Sequence, residues 1–586
     1  MQDLLNAPRL RRLAAFGAVG GVAALYLAMV GLVEAFKDRN VITGVVTLGA
    51  VMLLAVPLIA GYRAAIVPRD VTEGWTRSGL QRAVNGFVAG LIAGGMLGLL
   101  VFVGRAVDLR GVLISISPDL LDFLSFGLPR AGAAVAIAVV GGAVGTLGAL
   151  LLISPPRIRA VITTGLLAVI LISLSEPFIR PRLEQLDYTA ISDFLYQAHG
   201  LTVPAAIAAF VAGIVGSALW APARARVRQT VEAAPPERRR SIRNWTIVAA
   251  LIGVLILPQV SGTFFAQVLV LIGLYLLLAL GLNIVVGYAG LLDLGYVAFF
   301  AVGAYLTALL TSPDSSLGIG LPFFVALPIV MLGAGATGLL IGAPVLRLRG
   351  DYLAIVTLGF GEIARILFES EALRPWLGGV QGILGIPNPF PARIDLDIGV
   401  AHLVASGPQV LYYPILAFCM LAAFAANRLA NSRVGRAWNA MREDESVAEA
   451  TGVSTVNYKL LAFSLGATTG CLSGALFAVQ LQSVFPGSFD VLVSITVLAV
   501  IILGGMGSIP GVVVGAIVLI GLPQLLREFA EYRLLVYGGV LVAMMLLRPE
   551  GLIPNRSRQR ELHDAMDDEE EAEPPQPELA AQRGSA

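Results

Sequence analysis

Few side chains in this sequence could carry out chemistry, and their spacing excludes most enzyme classes. Lysine occurs only at Lys37 and Lys459, and neither lies in the Gly-Lys-Ser/Thr context with which a P-loop binds nucleotide phosphates. The three histidines are isolated from one another, and Cys419 and Cys471 lie alone in apolar stretches, so no metal-binding spacing arises. We therefore expect no catalytic residue, no bound metal and no ATPase site on this chain, and two cysteines that are small core residues.

The more informative charged residues lie within apolar stretches. Asp293 is the single acid in a long apolar run, and Glu362 stands three residues before Arg365. A charged group at membrane depth is costly and usually faces a cavity or a partner. Asp293 is therefore a candidate for a translocation path, whereas Glu362 and Arg365 either pair on one helix face or contribute to such a path.

These residues are embedded in a chain whose composition suits a lipid bilayer. Of its 586 residues, 57% are hydrophobic and 13% are charged, and the mean hydropathy is +0.82, whereas soluble proteins carry about 25% charged residues. The apolar residues fall into roughly sixteen blocks near the length that a helix needs to cross a bilayer. No alternating barrel pattern is seen, so the sequence predicts an all-α, polytopic helical membrane protein. A net charge of +1 gives no reason to expect a nucleic-acid partner.

Arginine clusters predict the orientation and the regions of the chain. Loops on the cytoplasmic side carry the excess of arginine, and counting through the spans places both termini inside. Residues 1–220 are expected to form an N-terminal membrane block of about six spans. An Arg/Pro-rich cytoplasmic linker, 221–245, separates it from a second membrane block, 246–554. Residues 555–586 form an acidic tail that is expected to be disordered.

Five motifs in the second block follow the order of a known transporter family. They are GLNIVVGYAGLLDLGYVAFFAVGAY (281–305), LRGDYLAIVTLGFGEIAR (348–365), GGVQGI (378–383), GRAWNAMREDE (435–445) and RPEGL (548–552). Over about residues 250–554, the chain resembles the permease subunits of branched-chain amino acid ABC importers, specifically the M-type (LivM-like) subunit. Residues 1–245 show no comparable match.

The resemblance implies a transport subunit of a bacterial or archaeal plasma membrane, with 246–554 as its permease core. Such a subunit binds no cofactor; it works with a second homologous permease subunit, two ATP-binding subunits that use the ATP, and an extracytoplasmic substrate-binding protein. The external loop 369–411 is a candidate platform for that binding protein. The candidate translocation path comprises Gly287, Gly290, Asp293, Gly295, Tyr296 and Glu362. The glycines among them could equally serve close helix packing.

The fourth motif is expected to couple transport to ATP. Residues 437–451 predict one short cytoplasmic helix that ends at Gly452, because glycine favours the backbone conformation just after a helix. In the family, the corresponding helix contacts the ATPase. The resemblance therefore assigns coupling to Arg442, Glu443, Asp444, Glu445 and Gly452. A merely solvated helix face is the alternative for this charged run.

Three other functions stay open at this stage. Related permeases carry urea or short amides, although Tyr296, where many relatives have histidine, favours the branched-chain type. An ion-coupled secondary transporter would use Asp293 or Glu362 as a proton or sodium site. Such folds usually show related inverted halves, and 1–245 does not repeat 246–554. The third is a membrane anchor whose N-terminal block and acidic tail recruit partners.

Overall fold

The computed structural model describes residues 7–66, 79–107, 115–125, 127–185, 187–233, 235–345, 348, 350–391, 393–397, 402–525, 538–539, 542 and 551–553. Over these residues the chain is almost entirely helical, which confirms the fold class expected from composition. It divides into two compact units, Met1–Thr246 and Ile247–Ala586. The predicted acidic tail lies outside the described residues, as does most of the last predicted span, 534–547.

The first unit is a helical bundle with a small sheet. Its described helices are α1 (Ala7–Met29), α2 (Leu32–Ala35), α3 (Leu48–Ala64), α4 (Gly79–Gly104), α5 (Pro118–Ser125), α6 (Arg130–Ile153), α7 (Pro156–Leu174), α8 (Glu176–Gln185), α9 (Thr189–Leu195) and α10 (Val203–Ala233). Helix α10 continues into the predicted Arg/Pro-rich linker, so the first part of that stretch is helical.

Helices α4 and α6 pack closely because glycine recurs at every fourth position of α4. Gly86, Gly90 and Gly94 face the backbone of α6, where Gly141 and Gly145 lie opposite. A Cβ atom on Gly86 would stand 2.5 Å from the carbonyl oxygen of Gly145. Small residues at this spacing let helix backbones approach within a membrane, where van der Waals packing drives association. These positions therefore require glycine, because any side chain would collide with the backbone of α6.

A small sheet joins two distant parts of the first unit. Strands β1 (Asn40–Ile42) and β2 (Val46–Thr47) are antiparallel, with Asn40 opposite Thr47. Strand β1 also runs parallel to β4 (Gly200–Leu201), which pairs with β3 (Tyr196–Gln197). The order of strands is β2-β1-β4-β3. These short strands are a minor exception to the all-α prediction.

A buried ion pair lies beside this sheet. The Arg39 guanidinium donates to Oε2 of Glu176 at 2.5 Å and to the carbonyl oxygen of His199 at 2.6 Å. The two paired side chains are only 9% and 5% exposed. Burial, followed by the charge of Glu176, raises the pKa of the neighbouring Tyr196 phenol. The polar cluster thus links the segment before β1 to α8 and to the β3–β4 turn.

The second unit contains the remaining described helices and one hairpin. They are α11 (Pro236–Leu282), whose first residues, up to Thr246, belong to the first unit, a π-helix (Asn283–Tyr288), α12 (Val297–Thr311), α13 (Phe323–Val345), α14 (Asp351–Glu369), α15 (Arg374–Leu377), a 3-10 turn (Gly379–Gln381), strands β5 (Arg393–Asp397) and β6 (His402–Ser406), α16 (Pro408–Ala430), α17 (Arg433–Glu443), α18 (Glu445–Ala450), α19 (Thr455–Leu481), a 3-10 turn (Pro486–Ser488), α20 (Val491–Gly504), α21 (Ile509–Ala516), a π-helix (Ile517–Gly521) and α22 (Leu522–Leu525). Helix α11 is kinked at Gly262, where φ is 87°.

The number of long apolar helices is smaller than the number of apolar blocks in the sequence. Within the described residues, nine helices are long and apolar enough to cross a bilayer, and five shorter apolar helices accompany them. Two predicted blocks are missing from this set. Helix α14 carries Glu362, Arg365 and Glu369, which make it too charged, and the block 534–547 lies almost wholly outside the described residues.

Helix α19 is central to the second unit and packs against α12 and α13. Glycines allow this: a Cβ atom on Gly303 would fall on the backbone of Cys471, and one on Gly474 would fall on the carbonyl of Phe300. Both cysteines, Cys419 and Cys471, are buried and free. The prediction that they are small core residues is therefore confirmed.

Candidate functional site

The first motif forms a membrane helix that breaks inside the second unit. Helix α11 ends at Leu282, the backbone continues as the π-helix Asn283–Tyr288, and α12 does not begin until Val297. We call residues 289–296 the unwound segment. It contains Gly290, whose φ of 72° an L side chain rarely adopts. Discontinuous membrane helices of this kind are typical of substrate sites in transporters, because they present backbone and side-chain polar groups at membrane depth.

Three buried polar side chains hold this region in place. Thr357 of α14 accepts a hydrogen bond from the Leu294 N–H at 3.1 Å, and Ser494 of α20 accepts one from the first N–H of α12 at 2.9 Å. Asn283 accepts from the N–H of Gly507 at 2.9 Å. None of the three was predicted from the sequence, where the available signal was a polar residue within an apolar run. Thr357 and Ser494 satisfy N–H groups that the break leaves without a helical partner, and Asn283 ties the π-helix to the turn before α21.

Asp293 lies in the unwound segment and is 1% exposed. Its Oδ1 accepts a hydrogen bond from the N–H of Gly295 at 2.9 Å. Its Oδ2 is buried with no hydrogen-bond partner among the described residues. A buried polar atom without a partner is uncommon and calls for an explanation, such as strain, a bound water or ion, or a functional role. Gly295 is required here for steric reasons, because a Cβ atom would fall on the carbonyl of Thr357.

The structure gives Tyr296 and Glu362 partners inside the fold. The Tyr296 hydroxyl donates to the carbonyl oxygen of Gly466 at 2.7 Å, which anchors the start of α12 to α19. Glu362 accepts from Arg365 at 2.5 and 3.0 Å, on the same face of α14. Of the two roles that the sequence left open for Glu362, the structure shows the ion pair.

The prediction of one helix over 437–451 is wrong, because the segment forms two helices. Helix α17 ends at Glu443, and the next residue, Asp444, has an extended backbone at φ −153° and ψ 112°. The Asp444 carboxylate then accepts from the N–H groups of Ser446 and Val447 at 2.8 and 2.9 Å, which caps the start of α18. Gly452 follows the second helix with φ 91°, in the terminating position that the sequence indicates. We call these two helices the α17–α18 pair.

The α17–α18 pair is fixed to the start of α19 by two contacts. The fully buried Trp438 donates its indole N–H to the carbonyl oxygen of Tyr458 at 2.9 Å. The Lys459 ammonium donates to Oε1 of Glu445 at 2.6 Å, and the two side chains are 4% and 23% exposed. Glu445, which the resemblance assigned to the ATPase contact, therefore has an ionic partner within its own chain.

Arg442 connects the same pair to the broken membrane helix. Its Nη1 donates to the carbonyl oxygen of Gly287 at 3.0 Å. Its aliphatic stem lies on Gly290, where an added Cβ atom would stand 2.6 Å from Cγ of Arg442. Glu443 and Asp444 are exposed, and Val447 is 58% exposed. We call these three residues the exposed edge of the α17–α18 pair.

Comparison with known proteins supports the motif assignment. A family model described as the branched-chain amino acid transport system permease component matches residues 264–546. The high-affinity branched-chain amino acid transport system permease protein LivM of Escherichia coli K12 is 41% identical over 322 residues, which cover 53% of this chain and 74% of the relative. LivM of Salmonella typhimurium LT2 is 43% identical over 295 residues, covering 48% and 68%. The corresponding permease protein LivH of the same strain is 25% identical over 300 residues, covering 48% and 91%.

No solved structure matches the chain significantly. The family match lies entirely within the second unit. It includes the unwound segment, the polar residues that hold it and the α17–α18 pair. On this basis, the chain belongs to the family of branched-chain amino acid transport permeases.

Proposed function

We propose that this chain is the permease subunit of an ABC importer that carries branched-chain amino acids across the plasma membrane. The observation that carries the proposal is the family match over 264–546, because it spans both the unwound segment and the α17–α18 pair. The chain is a multi-pass transport subunit and performs no covalent chemistry. ATP is bound and hydrolysed by two separate partner subunits, and the energy reaches this chain through contact.

Asp293 suits the ammonium group of an amino-acid cargo. Its carboxylate is buried in the unwound segment, and Oδ2 is without a hydrogen-bond partner among the described residues. A cationic donor compensates a buried carboxylate better than a neutral one, since charge-assisted hydrogen bonds are roughly twice as strong. Urea and short amides are neutral, so this site favours amino acids over the alternative cargo. Gly287, Gly290 and Gly295 are each packed against a different neighbour, namely Asn283, Arg442 and Thr357, so their role is close packing around the unwound segment.

The exposed edge of the α17–α18 pair is the proposed contact with an ATP-binding subunit. Glu443 and Asp444 provide negative charge, and Val447 provides apolar surface. The arginine distribution assigns this segment to the cytoplasm. Arg442 and Glu445 hold the pair against the membrane helices. Movement imposed on the exposed edge would therefore reach the π-helix through Arg442 and the start of α19 through Glu445.

Two further partners complete the proposed importer. A second homologous permease, related to LivH, would share the translocation path with this chain. An extracytoplasmic binding protein would deliver the cargo at the turn 378–382, where Gly378, Gly379 and Gly382 all have positive φ and shape an irregular surface.

Reconstitution tests this function. The chain is purified with its partner subunits, incorporated into liposomes, and assayed for uptake of labelled leucine in the presence of the binding protein. We expect uptake to require ATP, and Asp293→Asn to reduce it far more than Glu362→Gln, whose partner lies on its own helix. Uptake by the chain alone under an ion gradient would contradict the ABC mechanism. Preferential uptake of urea would contradict the assigned cargo.

A further inference from the structure

We infer that Arg442 is the positioning residue that passes movement of the α17–α18 pair to the broken membrane helix. This inference rests on the proposed function. It differs from the role that the sequence suggested for Arg442, which was direct contact with the ATPase. The Arg442 side chain instead reaches inward and donates to the carbonyl oxygen of Gly287, 155 positions away in the chain.

The acceptor is well suited to a guanidinium group. Gly287 lies in the last turn of the π-helix Asn283–Tyr288, and the last carbonyls of a helix lack partners within that helix. A cation at this end also interacts favourably with the helix dipole. Arg442 therefore satisfies a carbonyl at the point where the helix gives way to the unwound segment that holds Asp293.

The Arg442 side chain is tightly packed against the backbone around Gly290. The Arg442 stem lies on Gly290, and an added Cβ atom there would stand 2.6 Å from Cγ and 3.1 Å from Cβ of Arg442. On the neighbouring side, the N–H of Gly507 donates to Asn283 at the start of the π-helix. Displacement of Arg442 therefore pushes or pulls the backbone at 287–290 directly.

The α17–α18 pair, which carries Arg442, is itself held in place by contacts with α19. Trp438 binds the backbone of Tyr458, and Glu445 binds Lys459. These contacts attach the α17–α18 pair to α19, so the pair moves as one body with the start of that helix. Arg442 then connects this body to the π-helix that precedes the unwound segment, through its hydrogen bond to the carbonyl oxygen of Gly287.

The test uses the whole complex and compares three variants. Arg442→Ala removes the contact, Arg442→Lys keeps the positive charge, and Arg436→Ala removes an exposed arginine from the same helix as a control. For each, co-purification of the ATP-binding subunits, ATP hydrolysis and leucine uptake are measured. We expect Arg442→Ala to assemble and hydrolyse ATP, while leucine transported per ATP falls about tenfold or more, as loss of a charge-assisted hydrogen bond predicts. Arg442→Lys should be intermediate, and Arg436→Ala should match the wild type.

A double-variant experiment separates this role from general stability. Gly290→Ala should reduce leucine uptake per ATP, because the new methyl group collides with the Arg442 stem and the backbone φ of 72° strains any L side chain. In the Arg442→Ala background Cγ is gone, so the same substitution should reduce the ratio less. Equal effects in both backgrounds would overturn the inference.

Two other results would also overturn it. One is an unchanged ratio of uptake to ATP hydrolysis in Arg442→Ala. The other is loss of the ATP-binding subunits from that variant, which would place Arg442 at the ATPase contact. Absence of ATP-dependent leucine uptake in the wild-type complex would refute the proposed function itself, and the inference with it.

Discussion

Replacing Glu445 by lysine removes one half of an ion pair and places a like charge against the other half. In the structure, Lys459 is 4% exposed and Glu445 is 23% exposed, with 2.6 Å between their charged atoms. If Glu445 binds Lys459 rather than a partner subunit, Glu445→Lys must destabilise the chain even when it is purified alone.

The expected magnitude follows from burial. Breaking a buried ion pair by removing one partner costs about 3–5 kcal/mol. Because Glu445 keeps some contact with solvent, screening lowers the expected cost to about 2–3 kcal/mol. This corresponds to roughly a 30- to 150-fold shift in the equilibrium between attached and detached α18. The exchanged variant Glu445→Lys/Lys459→Glu restores opposite charges and should recover most of that free energy.

The assay has two readouts: thermal unfolding of the chain in detergent, and co-purification of the ATP-binding subunits. Glu445→Lys should lower the unfolding temperature and the amount of ATP-binding subunit that co-purifies, and the charge exchange should restore both quantities. Glu443→Lys, on the exposed edge, should weaken subunit association while changing chain stability by less than about 0.5 kcal/mol. The reasoning is refuted if Glu445→Lys leaves the isolated chain as stable as the wild type, or if the charge exchange gives no recovery.

Three further predictions concern steric fit and domain organisation. Gly295→Ala, whose methyl group would fall on a backbone carbonyl of α14, should abolish leucine uptake, whereas Gly359→Ala, with open space around it, should not; equal uptake in the two variants would contradict this. Gly90→Leu should lower the free energy of unfolding by about 1–3 kcal/mol through overpacking against α6, which thermal unfolding would detect. Gly95→Leu, at a position with space around it, should change the free energy of unfolding little. A chain that begins at Arg243 should still co-purify with the ATP-binding subunits; complete loss of binding by the properly inserted shorter chain would count against an independent permease core.

Local patterns predicted much of the architecture. A helix that crosses lipid must be apolar over its whole length and must satisfy its own backbone hydrogen bonds, so the spans are visible one at a time in the sequence. The pairing of Glu362 with Arg365 could be anticipated for a similar reason, because residues three apart lie on one helix face. The terminating role of Gly452 follows from glycine's freedom at positive φ.

Other features needed the tertiary structure, because their partners are distant in the chain. The charged run 442–445 suggested a single exposed contact surface, yet two of its four residues have partners inside the fold. Arg442 binds the backbone of Gly287, 155 residues away, and Glu445 binds Lys459. Asp444 ends one helix and caps the next, a role that depends on a turn and not on helical periodicity. No local pattern encodes which charges face inward.

The class of protein, the apolar blocks and the family to which the second unit belongs could all be predicted from the sequence. These depend on composition and on motifs read along a single chain. The tertiary structure decided which polar groups are satisfied, because burial and hydrogen bonding are properties of distant residues brought together. It left Oδ2 of Asp293 without a partner among the described residues, and it attached the α17–α18 pair to the break in the membrane helix. The break attracts these contacts because an interrupted helix leaves backbone and side-chain groups that must be satisfied by the residues packed against it.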